Sequence, residues 1–332
     1  MRVVYLNPFA QEVSGPDESL RALLGALIPR GVEAHVVLPA RGPQAPRYEA
    51  LGATVHVADL AMLRRDLAPA AAAAFPARLA RAAFQVGAIA RRVGATLIHS
   101  NMEVLLEGGL AARALRIPHV QHYRGNTLDE PKIVFDGLTA IWTALADHVY
   151  CISGATAAVF ERRGRARKVE VLYNPLDVAA FAGGARDPAV RAALGGGAGP
   201  LIGTVGRLHP RKDIETFVRA AAEVAARAPT ARFVVVGSAE APVELEYERH
   251  LATLVRELGL AERVTFAGAR RDMPAVMKAL DVFVLASRHE GFGRVVAEAM
   301  AAARPVVVAR EGAPPELVEE DRYGVCATPA NP

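Results

Sequence analysis

Two carboxylates and two glycines lie close together in the segment 287–301, SRHEGFGRVVAEAMA. The segment follows an apolar run and precedes a helical pattern, so we expect it at the carboxyl end of a strand, where parallel sheets bind ligands. Gly291 and Gly293 let the backbone approach a ligand closely, and the N–H groups that open a helix attract phosphate. Glu290 and Glu298 add carboxylates, which accept paired hydrogen bonds from vicinal hydroxyls of ribose or hexose. The segment therefore suits a phosphorylated ligand that is rich in hydroxyl groups.

A second segment, 203–213 (GTVGRLHPRKD), places two cations beside the end of another strand. Gly206 ends the strand, Arg207 and Lys212 follow, and a helix begins near Asp213. Two cations suit a diphosphate, because they stabilise the charge of a leaving group without a metal. Taken alone, either segment is explained equally well by an ordinary structural loop.

Short β-branched runs alternate with Ala-rich stretches along the chain, which predicts strands separated by helices. The predicted strands are 3–7, 35–39, 54–58, 96–100, 119–123, 148–153, 169–174, 201–206, 232–238, 264–268, 282–287 and 305–310. Helices are predicted at 214–227, 243–258, 273–280 and 293–303. Almost entirely apolar strands separated by helices are typical of parallel sheets covered on both faces.

The length of 332 residues is about twice that of a typical single domain. A glycine-rich stretch at 181–200 includes the run GGGAG at 195–199, which favours neither helix nor strand. We therefore predict two Rossmann-like, doubly wound α/β domains, 1–180 and 201–332, joined by a linker at 181–200. A cleft between them is the expected place for a ligand.

The composition excludes several classes of protein. Hydrophobic residues make up 52% and charged residues 22% of the chain, which is typical of globular proteins and excludes disordered and fibrous ones. No apolar run reaches the ~18–20 residues of a membrane helix. The opening residues, MRVVYLNPFA, lack the features of a signal peptide. Cys151 and Cys326 are predicted to be buried free thiols, so we expect a cytoplasmic protein.

The net charge of +4 is concentrated in the first half of the chain. Residues 1–170 contain 20 Lys and Arg against 15 Asp and Glu, whereas residues 171–332 contain 19 against 20. The excess of basic residues favours an anionic partner, such as a phospholipid surface, a phosphorylated acceptor or nucleic acid. A general preference for arginine over lysine explains the excess equally well. The Ala-rich stretch 68–93 forms either a basic amphipathic helix at a membrane or a solvated helix face. Nucleic acid is the weakest candidate, since the basic residues are not interleaved with aromatic ones.

Taken together, the two segments resemble the retaining glycosyltransferases of the GT-B fold, in particular glycosyltransferase family four. GRLHPRKD and the Glu-x7-Glu pattern from Glu290 to Glu298 occur in the order and spacing typical of that family. The resemblance spans nearly the whole chain and is not specific to one substrate. It also covers the Gly-bearing loop at 14–16, Ile117-Pro118, CISGAT at 151–156 and VLYNPLD at 171–177.

The resemblance implies two Rossmann-like domains that face each other across a cleft. It implies transfer of a sugar from a UDP- or GDP-sugar to a glycan or lipid-linked acceptor, in polysaccharide or glycoconjugate synthesis. The anomeric configuration would be retained, and neither a metal nor another cofactor would be needed. The nucleotide diphosphate sugar would serve as co-substrate.

The resemblance also implies roles for individual residues of the two motifs. Arg207 and Lys212 would bind the diphosphate, Glu298 the ribose hydroxyls, and Glu290 the donor sugar. Gly15 would lie in a loop that closes over the donor phosphates or the acceptor. The backbone groups expected to contact sugar and phosphate are those of Gly206, Phe292, Gly293, Arg294 and Val295.

The residue expected beside the reacting sugar departs from the family pattern. The family commonly has a histidine six residues after the proline that corresponds to Pro118, and that position is Arg124 here. His122 shares one face of an extended segment with it. We take Arg124 as the corresponding catalytic residue and His122 as its partner; the alternative is a buried histidine without a catalytic role. Residues 99–101 either contact the acceptor or cap the next helix, and Asn126 lies in an acceptor loop or a plain surface loop.

Family members usually continue into a carboxy-terminal helix that crosses back onto the amino-terminal domain. This sequence ends at Pro332, so we expect a carboxy-terminal domain without that helix. Two alternatives to a transferase stay open. One is a sugar-nucleotide epimerase of the same fold, which acts on the donor alone. The other is a truncated, non-catalytic protein that binds a nucleotide sugar. Peripheral contact with the inner face of the cell membrane is expected through the basic amino-terminal domain.

Overall fold

The computed structural model describes residues 1–11, 15–63, 69–125 and 132–330. Within these ranges the chain forms two compact units, Met1–Pro175 and Leu176–Pro332. Ser14 of the predicted Gly-bearing loop and Asn126 lie outside the described residues. None of the described helices is long and apolar enough to cross a membrane.

The first unit alternates strands and helices. Its described strands are β1 (Arg2–Leu6), β2 (Glu33–Leu38), β3 (Thr54–Val57), β4 (Leu97–Ser100), β5 (His119–Tyr123), β6 (His148–Cys151) and β7 (Val169–Val171). Its described helices are α1 (Gly15–Leu27), α2 (Gln44–Glu49), α3 (Pro69–Val93), α4 (Glu107–Leu115), α5 (Lys132–Leu145) and α6 (Gly154–Glu161).

The strands of the first unit pair in parallel in the order β3-β2-β1-β4-β5-β6-β7. Along β1, Val3 and Tyr5 pack on one face with α1, whereas Val4 and Leu6 pack on the other face with residues of α3 and α4. Both faces are therefore covered, which explains why the strand is almost entirely apolar. The strand order reverses between β1 and β4, and this point is where doubly wound sheets bind ligands.

The second unit has the same alternation with different element lengths. Its described helices are α7 (Val178–Ala182), α8 (Pro188–Ala193), α9 (Ile214–Arg227), α10 (Pro242–Glu257), α11 (Met273–Ala279), α12 (Arg294–Ala301) and α13 (Pro314–Leu317). Its described strands are β8 (Leu201–Val205), β9 (Arg232–Val236), β10 (Val264–Phe266), β11 (Val282–Leu285), β12 (Val306–Ala309) and β13 (Val325–Ala327).

The second sheet is also parallel, in the order β10-β9-β8-β11-β12-β13, and its strand order reverses between β8 and β11. Alternate side chains of β9 lie on opposite faces of the sheet: Phe233 packs with α9 and α10, and Val234 packs with α11 and α12. Helix α9 buries Phe217, Val218 and Ala221, the spacing of one apolar stripe. Core packing between the strands and these helices therefore fixes the positions where β8 and β11 end.

The twelve predicted strands and the four predicted helices are all present, with ends that differ by a few residues. Strand β13, which has only three residues, was not predicted. The predicted linker 181–200 differs more. It contains α8, and Phe181 and Leu194 are buried in the core of the second unit. The units divide between Pro175 and Leu176, because these two apolar side chains attach the glycine-rich stretch to the second unit.

Candidate functional site

The two predicted motif segments meet at the point where the strand order of the second sheet reverses. Gly206 directly follows β8, the segment 286–293 follows β11, and these strands pair with each other. The backbone N–H of Arg288 donates to the carbonyl of Arg211 at 3.0 Å, and Arg288 Nε donates to the Asp213 carboxylate at 2.9 Å. The segments thus form one connected surface at the carboxyl edge of the sheet.

An ion pair between Lys212 and Glu290 lies at the centre of this surface. Lys212 Nζ donates to Glu290 Oε2 at 2.7 Å, and the two side chains are 27% and 21% exposed. The Lys212 alkyl chain packs over Gly206, where an added Cβ would lie 3.5 Å from it. Burial raises the pKa of the Glu290 carboxyl, but Lys212, the Ser287 hydroxyl and Arg211 outweigh it and lower that pKa below its ordinary value. Glu290 is therefore ionised at neutral pH, with its charge compensated by Lys212.

The loop after β12 fixes the backbone of Glu290. The Ala313 N–H donates to the Glu290 carbonyl at 2.9 Å. Gly312 has φ +70°, and a Cβ on it would lie 2.5 Å from the same carbonyl oxygen. A left-handed φ and contact this close both require glycine. The position of Glu290 thus depends on a loop some twenty residues further along the chain.

The amino end of α12 borders the ion pair. Gly293 caps the helix with φ 85°, and a Cβ on it would lie 3.6 Å from Glu290 Cγ. Phe292 is 6% exposed, and its burial anchors the turn that leads into the helix. The first N–H groups of a helix and its dipole attract anions. Lys212 and this helix end therefore supply positive charge to the same place.

The other two predicted side chains each have a partner of their own. Arg207 is 75% exposed and pairs with Glu244 at 3.3 Å. Glu244 also accepts hydrogen bonds from two backbone N–H groups just before α10. Glu298 is 7% exposed and accepts a hydrogen bond from Arg294 Nε at 3.0 Å. Direct contact thus joins Lys212 to Glu290, whereas Arg207 and Glu298 make ion pairs on α10 and α12 respectively.

In the first unit, Arg124 follows β5 and its guanidinium is bound on two sides. Its Nε and Nη2 donate to the backbone and side-chain oxygens of Asn101, each at 2.8 Å. Its Nη1 donates to Asn174 Oδ1 at 2.6 Å. The Glu103 carboxylate accepts from the Arg124 backbone N–H at 3.0 Å. The orientation of Arg124 is therefore fixed by the protein itself.

His122 lies inside the sheet layer beside a second histidine. Its Nδ1 is 2.8 Å from Nε2 of His99, and the rings stack with centroids 5.0 Å apart. Burial lowers the pKa of both imidazoles, to about 3 for His99 and well below the ordinary value for His122, and the nearby Arg124 adds to the effect. His122 is therefore a neutral imidazole at physiological pH. The burial of His122 and its hydrogen bond to His99 are as consistent with a hydrogen-bonded core histidine as with a catalytic one.

Gly15 is the first residue of α1, and an added Cβ there would meet no atom within 4 Å. Its carbonyl accepts a hydrogen bond from the Ser19 hydroxyl at 2.9 Å. The structure thus places Gly15 at the amino end of a helix that borders the switch point of the first sheet. Among the residues that the structure describes, no three His, Cys, Asp or Glu side chains are grouped so that they could hold a metal ion.

Two polar residues of these surfaces, Asn174 and Glu244, had no individual role in the sequence analysis. Asn101, predicted to contact the acceptor or to cap the next helix, does not cap that helix, which begins six residues later at Glu107; it binds Arg124 instead. Asn174 lies in the VLYNPLD motif, and Glu244 follows β9. The available signal was their position: Asn101 directly follows β4, Asn174 comes soon after β7, and Glu244 lies in the first turn of α10, the helix that follows β9.

Comparison with known proteins places this geometry in a known class. The family profile described as Glycosyltransferase Family 4 matches residues 13–180, and the one described as Glycosyl transferases group 1 matches residues 199–332. A crystal structure of Anabaena HepE with UDP-glucose has a TM-score of 0.82 at 27% identity and covers 100% of this chain and 86% of that one. The fold is that of the GT-B glycosyltransferases.

Two curated relatives give the extent of the similarity. A GDP-mannose-dependent alpha-mannosyltransferase of Mycobacterium tuberculosis is 29% identical over 97% of this chain and 82% of its own length. A D-inositol 3-phosphate glycosyltransferase of Mycolicibacterium gilvum is 35% identical over 47% of this chain, a match that spans only 35% of that protein. Because a family profile matches half of the chain, the chain belongs to glycosyltransferase family 4.

The Lys212–Glu290 pair predicts a pH-dependent contribution to stability. Because the folded protein lowers the pKa of Glu290, ionised Glu290 stabilises the fold above the ordinary carboxyl pKa, and this contribution disappears as the pH falls through the lowered value. Glu290→Gln should therefore cost about 1–2 kcal/mol at pH 7 and clearly less near pH 3, which is below the ordinary carboxyl pKa. Urea unfolding at both pH values measures this, with exposed Glu257→Gln as the matched control. An equal cost for Glu290→Gln at both pH values would contradict the ion pair.

Proposed function

We propose that this protein transfers a sugar from a nucleoside diphosphate sugar to a glycan or lipid-linked acceptor, with retention of configuration and without a metal ion. The observation that carries the proposal is the Lys212–Glu290 pair at the amino end of α12, in a chain of glycosyltransferase family 4. The proposal is supported by two relatives whose names give such donors. One structure contains UDP-glucose, and one enzyme is described as GDP-mannose-dependent. A UDP- or GDP-hexose is therefore the donor class we propose.

In this proposal Lys212 changes its ionic partner when the donor binds. Its ammonium compensates the charge of Glu290 at 2.7 Å. A diphosphate carries more negative charge than one carboxylate and, at the amino end of α12, also gains the helix N–H groups. We expect the ammonium to move to the diphosphate. Glu290 then loses its cation and accepts hydrogen bonds from hydroxyls of the donor sugar.

Arg207 and Glu298 have secondary roles in this proposal. Arg207 is largely exposed and its 3.3 Å contact with Glu244 is long, so exchanging that partner for a phosphate costs little. Glu298 is held by Arg294 at 3.0 Å, which leaves a carboxylate of fixed orientation for the vicinal hydroxyls of the ribose. Backbone groups of Gly206 and of residues 292–295 complete the proposed donor contacts.

The transfer step needs charge stabilisation more than covalent participation by the protein. The bond between the anomeric carbon and the diphosphate oxygen breaks, and the acceptor hydroxyl oxygen bonds to the same carbon. The proton of that hydroxyl leaves with the diphosphate. Lys212, Arg207 and the amino end of α12 stabilise the charge that develops on the leaving group. On the first unit, we propose that Arg124 acts on the reacting sugar with neutral His122 as its partner, and that Gly15, the first residue of α1, borders the donor phosphates or the acceptor.

Removing either member of the ion pair should abolish transfer while the fold persists. Lys212→Ala removes the proposed diphosphate ligand, and Glu290→Ala removes the proposed sugar ligand. Each should lower kcat/KM by at least about a hundredfold, the usual cost of losing one charge-stabilising group. The measurement is transfer of radiolabelled sugar from UDP- and GDP-hexoses, with circular dichroism to verify folding. Lys278→Ala on α11 is the matched control and should transfer like the wild type.

The same assay separates the alternatives. Full activity of both variants would remove the site assignment. Isomerised donor in the absence of any acceptor would instead identify a sugar-nucleotide epimerase. Calorimetric binding of nucleotide without transfer or hydrolysis of any donor would identify a binding protein.

We also propose that α3 contacts an anionic membrane surface. Its 25 residues include no Asp or Glu, and its four arginines lie with Phe84 on exposed positions. The Phe84 side chain is 78% exposed, although burial is the usual state of a phenylalanine. Arginines next to an exposed aromatic ring match an anionic lipid interface. The alternative is a solvated helix face. The arginines are Arg78, Arg81, Arg91 and Arg92.

Binding to vesicles tests the α3 proposal. The wild type should co-sediment with vesicles that contain phosphatidylglycerol and not with pure phosphatidylcholine. Phe84→Ser should weaken that binding at least about tenfold, because about 1.5–3 kcal/mol of apolar burial is lost. Leu245→Ser, an exposed apolar residue on α10, is the control and should bind like the wild type. Equal binding by Phe84→Ser and the wild type would leave α3 as a solvated helix.

A further inference from the structure

Buried polar side chains form a continuous cluster at the carboxyl edge of the first sheet. Asn7 follows β1 and Asn101 follows β4, and both are fully buried. Asn101 Nδ2 donates to Asn7 Oδ1 at 3.0 Å and to the Pro16 carbonyl at 3.2 Å. Asn7 Nδ2 in turn donates to Asp17 Oδ1 at 2.7 Å. The first turn of α1 is thus attached to the ends of two neighbouring strands.

A second connection reaches α1 through Asn174, which lies after β7. Asn174 Oδ1 accepts from Arg124 Nη1 at 2.6 Å and is 3.0 Å from the Ser19 hydroxyl. Arg124 is only a donor, so the oxygen rather than the nitrogen of the Asn174 amide must face it. The Ser19 hydroxyl shares its single proton between this oxygen and the Gly15 carbonyl at 2.9 Å. One amide oxygen therefore joins the guanidinium to the amino end of α1.

The guanidinium bonds of Arg124 to Asn101 and Asn174 have unequal consequences. Two of them involve Asn101, which lies deep in the cluster and is fixed by Asn7 and Pro16. The third ends on Asn174, which is half-buried and immediately precedes the boundary between the two units at Pro175. The third bond is also the one that connects the guanidinium to α1, because the same Asn174 oxygen is bound by the Ser19 hydroxyl. Asn174 thus couples the direction of Arg124 to the first turn of α1.

We infer that Asn174 is a positioning residue, whose side-chain oxygen fixes Arg124 and the first turn of α1 as one body. The inference rests on the proposed function in so far as Arg124 serves the reacting sugar. Asn174 needs no contact with a substrate for this role. The property that matters is a hydrogen-bond acceptor at this point, which a carboxylate supplies as well as an amide oxygen does.

A pair of substitutions separates the acceptor from the rest of the side chain. Asn174→Leu keeps the approximate size and removes the acceptor, whereas Asn174→Asp keeps an acceptor for both Arg124 and Ser19. We expect Asn174→Leu to lower kcat about ten- to hundredfold, the equivalent of one hydrogen bond to a charged group. The KM for the donor should change less than kcat does, because the side chains proposed to bind the donor lie in the second unit and α1 contributes only the backbone of Gly15. Asn174→Asp should restore kcat to within about threefold of the wild type.

Amide hydrogen exchange of α1 gives a readout that does not depend on activity. In Asn174→Leu the amides of residues 18–21 should exchange faster than in the wild type, and in Asn174→Asp they should not. Ser19→Ala, a smaller change at the same oxygen, should give a weaker effect of the same sign, and it replaces Asn174→Leu if that variant fails to fold.

The outcomes distinguish this inference from the proposed function. Wild-type kcat and exchange in Asn174→Leu would overturn it, as would a loss in Asn174→Asp equal to that in Asn174→Leu. Absence of sugar transfer by the wild type would overturn the proposed function. Exchange alone would then decide about Asn174: faster exchange only in Asn174→Leu supports the inference, and equal exchange in all three proteins overturns it.

Discussion

Charge compensation of a partly buried lysine is the constraint on which the second unit depends. Lys212 lies over Gly206, beside the positive end of α12, where a cation without an anionic partner is unfavourable. Glu290 supplies that partner at 2.7 Å. In the proposed function, the same surroundings that favour an anion next to Lys212 suit a diphosphate as its ligand. The ion pair therefore stabilises the second unit without a donor, and the proposed donor takes the place of the carboxylate.

Both sheets place their polar groups by the same rule. In a doubly wound sheet the helices leave a gap where the strand order reverses, and residues just after the flanking strands border it. In the second unit these are Gly206 and the segment 286–293. In the first unit they are Asn7 and Asn101, with Arg124 after the next strand. The packing of the apolar strands thus places polar and charged residues at the carboxyl edge of each sheet.

The fold and the position of the Glu290 segment were predictable from sequence, because the patterns that indicate them are local. Alternating apolar runs define the strands, and the Glu290 segment directly follows one of them. The partner of Arg207 was not predictable, since Glu244 lies on a helix far along the chain. Arg294 and Glu298 are four residues apart on α12, so their ion pair was predictable and was missed because Arg294 was assigned only a backbone role. The linker was predicted at 181–200 from the glycine content of that stretch. The structure instead buries Phe181 and Leu194, two apolar residues of the stretch, in the core of the second unit. Strand β13 was missed because it has a single β-branched residue, Val325, whereas the equally short β7 and β10 have two each.

The exchange of partners by Lys212 is tested most directly at the carboxyl group of Glu290. Carbon-13 NMR of glutamate-labelled protein, with the resonance assigned by its absence in Glu290→Gln, gives the pKa of this group free and saturated with UDP or GDP. Departure of the ammonium and arrival of the anionic diphosphate both disfavour the carboxylate. The account therefore predicts that saturation with nucleotide raises the pKa of Glu290. An unchanged pKa at full saturation would show that Lys212 stays on Glu290 and would contradict the account.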